Sequence, residues 1–223
     1  MRFLRENSLS IVFLAIFLAS LIGQAFVGHG LFNQDQLLHH GDPISLGRYL
    51  TTSQFVADVA ENWQSEYLQF SLYILGTVWL LQRGSPESKP LDDAGLESDE
   101  AQKVGPHATP RSPLWARVGG LRTAIYSNSL LLVMTTLWLG SWFAQSIAGW
   151  SAYNADQLDH QAATVDWLGY VGTNDFWDRT LQNWQSEFLA VGSMAILSVY
   201  LRQRGSPESK PVGAPHDATG VEG

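Results

Sequence analysis

A chain of 223 residues with nine Trp, no cysteine and a formal charge of −8 rules out several classes at once. Without thiols there is neither a disulfide framework nor a thiol-ligated metal, and so acidic a chain lacks the basic face that a nucleic-acid partner requires. It has no Gly-rich phosphate loop and no zinc-protease motif, and its mean hydropathy of −0.04 averages very apolar blocks with very polar ones.

The first apolar block runs from Leu9 to Val27, long enough to cross a hydrocarbon core as a helix. Arg2 and Arg5 precede it, as in a signal peptide, but no A-x-A-like site follows Leu21 and the block exceeds a usual signal core, so an uncleaved helix is expected. The second block, Tyr67 to Leu81, is preceded by the amphipathic turn Trp63-Gln64-Ser65-Glu66. The third is Ser129 to Ala148, and the fourth, Phe188 to Leu201, follows Trp184-Gln185-Ser186-Glu187. Thr52 or Ser53, and Thr173 or Asn174, are N-cap candidates from which helices are expected to run to Arg83 and Arg204.

Sequence returns at a constant interval of 121 residues. Asn33, Asp35, Gln36 and Leu37 recur as Asn154, Asp156, Gln157 and Leu158; Asn62 to Glu66 recurs unchanged as Asn183 to Glu187; and the nine residues Gln82 to Pro90 recur unchanged as Gln203 to Pro211. Gapless agreement of this kind points to a duplicated two-helix unit. The expected fold is therefore an all-α integral membrane protein of four transmembrane helices: a first repeat at 1–84, a disordered linker at 85–113, a second repeat at 114–205 and a disordered tail at 206–223. Cations cluster at the N-terminus, between helices two and three, and after helix four, whereas the other two loops hold only Arg48 and Arg179. The positive-inside rule then puts both termini and the linker in the cytoplasm and relates the two units as parallel repeats. The outer loops keep bulky residues such as Tyr49, Phe55, Trp167 and Tyr170, and are expected to fold rather than wave free.

Polar residues inside apolar blocks are the candidates for chemistry. Counted back from Arg83, Glu66 lies about 25 Å along its helix, just inside the outer boundary of a core about 30 Å thick. Glu187 matches it, and Gln24 and Gln145 sit at a similar depth on the partner helices. These four are candidates for holding a proton or cation, the alternative being amides and carboxylates that hydrogen-bond between helices as structural glue. Asn62, Glu66, Gln69 and Tyr73 share a helix face, but the matching face is Asn183, Glu187, Ala190 and Met194, so the inner half of the polar stripe belongs to the first unit only. In the repeated nonapeptide, Gly84 and Pro86 suit a helix stop, whereas capping gives no reason for Glu87 to Pro90. Arg83, Glu87, Lys89 and their counterparts Arg204, Glu208 and Lys210 are thus contact candidates. Asp35 with His39, and Asp156 with His160, are i, i+4 pairs, but two ligands are too few for a metal site, and neither a metal nor any other cofactor is expected.

The Leu4 to Leu9 opening, the Asn-Trp-Gln-Ser-Glu motif and the Arg-Gly-Ser-Pro-Glu-Ser-Lys motif resemble an uncharacterised, mainly actinobacterial family of membrane proteins, over nearly the whole chain apart from the linker and tail. The resemblance implies a bacterial inner-membrane location and carries no catalytic residues. The expected role is structural or interactive, with the bilayer, a second copy or another membrane protein as partner. A small proton or cation transporter using Glu66 and Glu187 is the alternative, and an enzyme with an outward-facing site comes third.

Overall fold

Every long apolar block of the sequence is helical in the computed structural model, which describes residues 2–222, and no strand occurs among them. The helices are α1 (Arg2–Glu6), α2 (Ser8–Leu38), α3 (Leu46–Tyr49), α4 (Ser53–Trp79), α5 (Leu114–Arg117), α6 (Gly120–Ser127), α7 (Ser129–Asp159), α8 (Trp167–Val171) and α9 (Asn174–Tyr200), with 3-10 turns at Leu91–Asp93 and Gly105–His107. α2 and α7 have 31 residues each and outrun the apolar blocks that nucleate them by about three turns. Among the described helices these two alone are long and apolar enough to cross a membrane. α4 and α9, of 27 residues each, open with polar turns that dilute their apolar halves.

The cap candidates resolve to the two threonines. Thr52 Oγ1 accepts from the Phe55 N–H and Thr173 Oγ1 from the Phe176 N–H, both at 3.3 Å. At the other end α4 and α9 stop at Trp79 and Tyr200, about a turn before Arg83 and Arg204. Gly84 and Gly205 do take left-handed conformations, with φ of 86° and 81°. They serve the loop beyond each helix rather than the helix terminus, because non-helical residues 80–82 and 201–203 intervene.

The chain divides into two compact units. The first, Met1–Val59 with Ala144–Val171, holds α1, α2, α3, the first turns of α4, the C-terminal half of α7 and α8, with the loops that fold back on α2 and α7. Both helices end in the same way. His40 and Gln161 adopt left-handed φ of 61° and 56°, and the N–H groups of Gly41 and Ala162 return to the carbonyls of Gln36 and Gln157, each at 2.7 Å. This is the Schellman stop, made twice without glycine at the left-handed position. The loops are then gripped by asparagine. Asn33 Oδ1 accepts from Ile44 N at 2.8 Å while its Nδ2 donates to Ile44 O at 3.0 Å, and Asn154 does the same to Val165 at 2.9 and 2.8 Å. Beyond that grip, Tyr49 and Tyr170 are buried against Gly28 and Gly149, where a Cβ would stand 2.3 and 2.4 Å from the phenol oxygen. Burial, and then the charge of Asp58, push the Tyr49 phenol above its ordinary value.

The second unit, Ala60–Phe143 with Gly172–Gly223, holds the rest of the helices and the two copies of the nonapeptide. Trp142 anchors its aromatic cluster, with ring centroids 5.9 Å from Trp138, 6.1 Å from Phe176 and 6.0 Å from Trp184. Thr123 Oγ1 donates to Trp115 O at 2.6 Å and ties α6 to α5.

Candidate functional site

The nonapeptide folds into one loop, built twice. Ser88 Oγ accepts from Gln82 N at 3.0 Å and Ser209 Oγ from Gln203 N at 2.9 Å, closing a ring of seven residues in each case. Inside it, Ser85 Oγ accepts from Glu87 N and Ser206 Oγ from Glu208 N, both at 3.3 Å. The serines and glycine of the motif thus have structural duties that a cap-and-stop reading missed. The lysines have them too. Lys89 Nζ donates to Gly95 O at 3.0 Å and pairs with Glu97 at 3.1 Å. Lys210, 1% exposed, donates to the carbonyls of Pro215, His216 and Ala218 at 3.2, 2.8 and 3.2 Å, which uses all three of its protons.

The tail that Lys210 organises lies on the first loop. Gly84 N donates to Thr219 Oγ1 at 2.8 Å, Gly220 N to Ser85 O at 3.0 Å, and Arg83 reaches Asp217 at 3.4 Å. A Cβ on Gly84 would stand 2.2 Å from the His216 carbonyl, so glycine serves both the turn and the close approach. The two motif glutamates come together: Glu208 hydrogen-bonds Glu87, and that bond, more than the charge of Glu87, holds the Glu208 carboxyl above its ordinary value. Glu87 also accepts from the Tyr73 hydroxyl. Arg204, Glu87 and Glu208 remain exposed, unlike the buried Ser85, Ser88 and Ser209.

Glu187, half-buried, lies within reach of the charge of the exposed Glu66. Their flanking residues, identical in sequence, are used unequally. Gln64 and Ser65 are buried while Gln185 and Ser186 are exposed, and Trp184 Nε1 donates to Gln64 Oε1 at 2.8 Å. Arg179 joins this region through Glu61 at 3.0 Å and Asp175 at 3.7 Å. In the first unit Gln24 is exposed, whereas Gln145 is fully buried with neither amide atom hydrogen-bonded.

The Asp–His pairs form as their spacing requires, with His39–Asp35 at 3.4 Å and His160–Asp156 at 3.5 Å. The two imidazoles meet edge to face at 6.5 Å. The backbone carbonyl of Asp156, then its carboxylate, holds His160 above the ordinary histidine value. Among the described residues no group of three or more His, Asp or Glu is arranged to hold a metal ion. Sequence reasoning overlooked Asn33 and Asn154, and with them His29 and Trp150, whose ring nitrogens lie 2.6 and 2.7 Å from the same carbonyls, Ile44 O and Val165 O. An indole N–H can only donate, so the matching position assigns His29 the same role through its Nε2 proton. The available signal was the asparagine common to both copies.

The model of a protein family described as a domain of unknown function, DUF6766, matches residues 1–221. The chain belongs to that family. No curated protein and no solved structure matches it. The description of DUF6766 assigns no activity, so what a DUF6766 chain does has to be read from the chemistry of the paired loops and carboxylates above.

Proposed function

We propose that the chain is a bacterial inner-membrane protein of four spans, built from two tandem copies of a two-helix unit, with both termini and the linker in the cytoplasm. Its role is structural or interactive rather than enzymatic. One observation carries the membrane reading, the inverted burial of its two most apolar helices. Ala25 alone is buried in α2, and in α7 the buried residues are Gln145, Ser146, Ala148 and Gly149, while Phe13, Phe17, Leu132, Val133 and Phe143 lie exposed. Water would make that arrangement costly, whereas lipid reverses the cost, because small and polar residues mediate helix contacts in a bilayer and large apolar ones meet the chains. The exposed Arg204 supports the interaction reading, since the loop's own bonds do not use it.

The absence of native cysteine makes single-cysteine probes free of background. Asp42→Cys and Ala163→Cys are expected to react with an impermeant thiol reagent on intact cells, and Glu6→Cys and Asp99→Cys only after permeabilisation. Arg204→Cys is expected to cross-link to a neighbouring copy or another membrane protein. Labelling of Asp99→Cys from outside would overturn the topology, and an Arg204→Cys that cross-links no more than Asp99→Cys would overturn the interaction role.

A second reading has its own support in the electrostatic proximity of Glu66 and Glu187, two carboxylates that a shared proton or cation would relieve. If the pair carries ions, wild-type proteoliposomes pass protons or a monovalent cation and a folded Glu66→Gln/Glu187→Gln variant does not. Equal flux in both, or none in either, discards transport.

A further inference from the structure

Within the second unit a cavity of about 330 Å³ opens between α4, α9 and the first nonapeptide loop. Leu72, Leu80, Phe188, Val191 and Ala195 make it largely apolar, and Ser85, Glu87 and Ser88 stand at the loop end. Of the three polar side chains that α4 contributes, Thr77 donates to its own helix, and the other two belong to the half of the polar stripe that the first sequence repeat has and the second lacks. Gln69, at the place of Ala190, has its Oε1 buried with no hydrogen-bond donor. Tyr73, at the place of Met194, turns its hydroxyl to Glu87.

The lining therefore asks for one chemistry. The Tyr73 proton is already committed to Glu87, so the free capacity at both ends, the Gln69 carbonyl and the Glu87 carboxylate, is that of acceptors. Glu208 adds a second carboxyl beside Glu87, while the nearby cation Lys89 is engaged by Glu97 and a backbone carbonyl. An anionic ligand would meet repulsion at the loop end and a purely apolar one would leave Gln69 unsatisfied. The volume lies at the small end of ligand sites and takes one alkyl chain rather than two.

We infer that this cavity seats one acyl chain of a bilayer lipid whose primary-ammonium headgroup donates to Glu87, an ethanolamine-type phospholipid of the cytoplasmic leaflet. The inference rests on the membrane reading above. A donor on a primary ammonium distinguishes this headgroup from a quaternary choline, which has charge but no N–H.

The test uses the full chain reconstituted in vesicles of equal parts phosphatidylethanolamine, phosphatidylcholine and phosphatidylglycerol, extracted in mild detergent, with retained lipid quantified by mass spectrometry. In the retained lipid, phosphatidylethanolamine is expected to exceed each of the other two lipids by at least about fivefold, as a difference near 1 kcal/mol produces. Glu87→Gln is expected to lower that enrichment and Ala195→Trp, which adds bulk to the cavity from α9, to abolish it, with thermal midpoints unchanged. Lipid retained at bulk proportions, or enrichment that survives both variants, overturns the proposal. A protein that fails to enter the vesicles at all instead overturns the membrane reading, and the two failures are told apart by flotation.

Discussion

Gly149→Ala is expected to destabilise the protein by about 1–3 kcal/mol, the usual cost of forcing an extra group into a filled site. The added Cβ would stand 2.4 Å from the Tyr170 hydroxyl oxygen and 3.1 Å from its ring carbon, and Tyr170 is fully buried. Removing that oxygen with Tyr170→Phe removes the worst of the clash. The double variant is therefore expected to recover a large part of the loss, a coupling that a thermodynamic cycle reads directly. Gly192→Ala on α9 is the contrast, since a Cβ there meets nothing within 4 Å. It should gain about 0.5–1 kcal/mol from restricting the unfolded chain. The measurement is the unfolding midpoint in detergent of the wild type and the four variants. A Gly149→Ala no worse than Gly192→Ala would show that the tyrosine does not hold the loop.

Lys210→Met is expected to cost on the order of 3 kcal/mol, from the loss of three charge-assisted bonds to backbone carbonyls that water cannot readily replace. The same substitution at Lys89 should cost no more than about 1 kcal/mol, because that side chain is partly exposed and its partner Glu97 more so. The two residues occupy the same position in identical nonapeptides, so the difference isolates environment from sequence. Limited proteolysis supplies the second readout: cleavage in residues 211–222 should accelerate in Lys210→Met and stay unchanged in Lys89→Met. Equal effects at the two lysines would sink the claim that Lys210 organises the tail over Gly84 and Ser85.

Several features were legible from residue order because their causes are local. Apolar blocks and threonine caps depend on neighbours within a turn, so α4 and α9 begin where Thr52 and Thr173 require. The i, i+4 Asp–His contacts follow from helical geometry alone. The ends of those helices were not legible. The nonapeptide reads as a glycine-and-proline helix stop, and what stops the helix a turn earlier is a ring closed by Ser88 and Ser209 onto the residues that follow it. Nor does composition announce that a tail rich in Pro, Gly and charge is bound by a buried lysine.

The sequence by itself determined the helices, the 121-residue interval and the short list of polar residues, since each rests on spacing along one chain. Tertiary structure alone decided which of two identical residues does the work. Gln64 is buried and bonded to Trp184 while Gln185 lies exposed, and Lys210 is enclosed where Lys89 is not. The physical reason is that burial and hydrogen bonding depend on the surroundings that fold around a residue. The two copies share motifs but differ in what packs against them, as at Gln69 and Ala190.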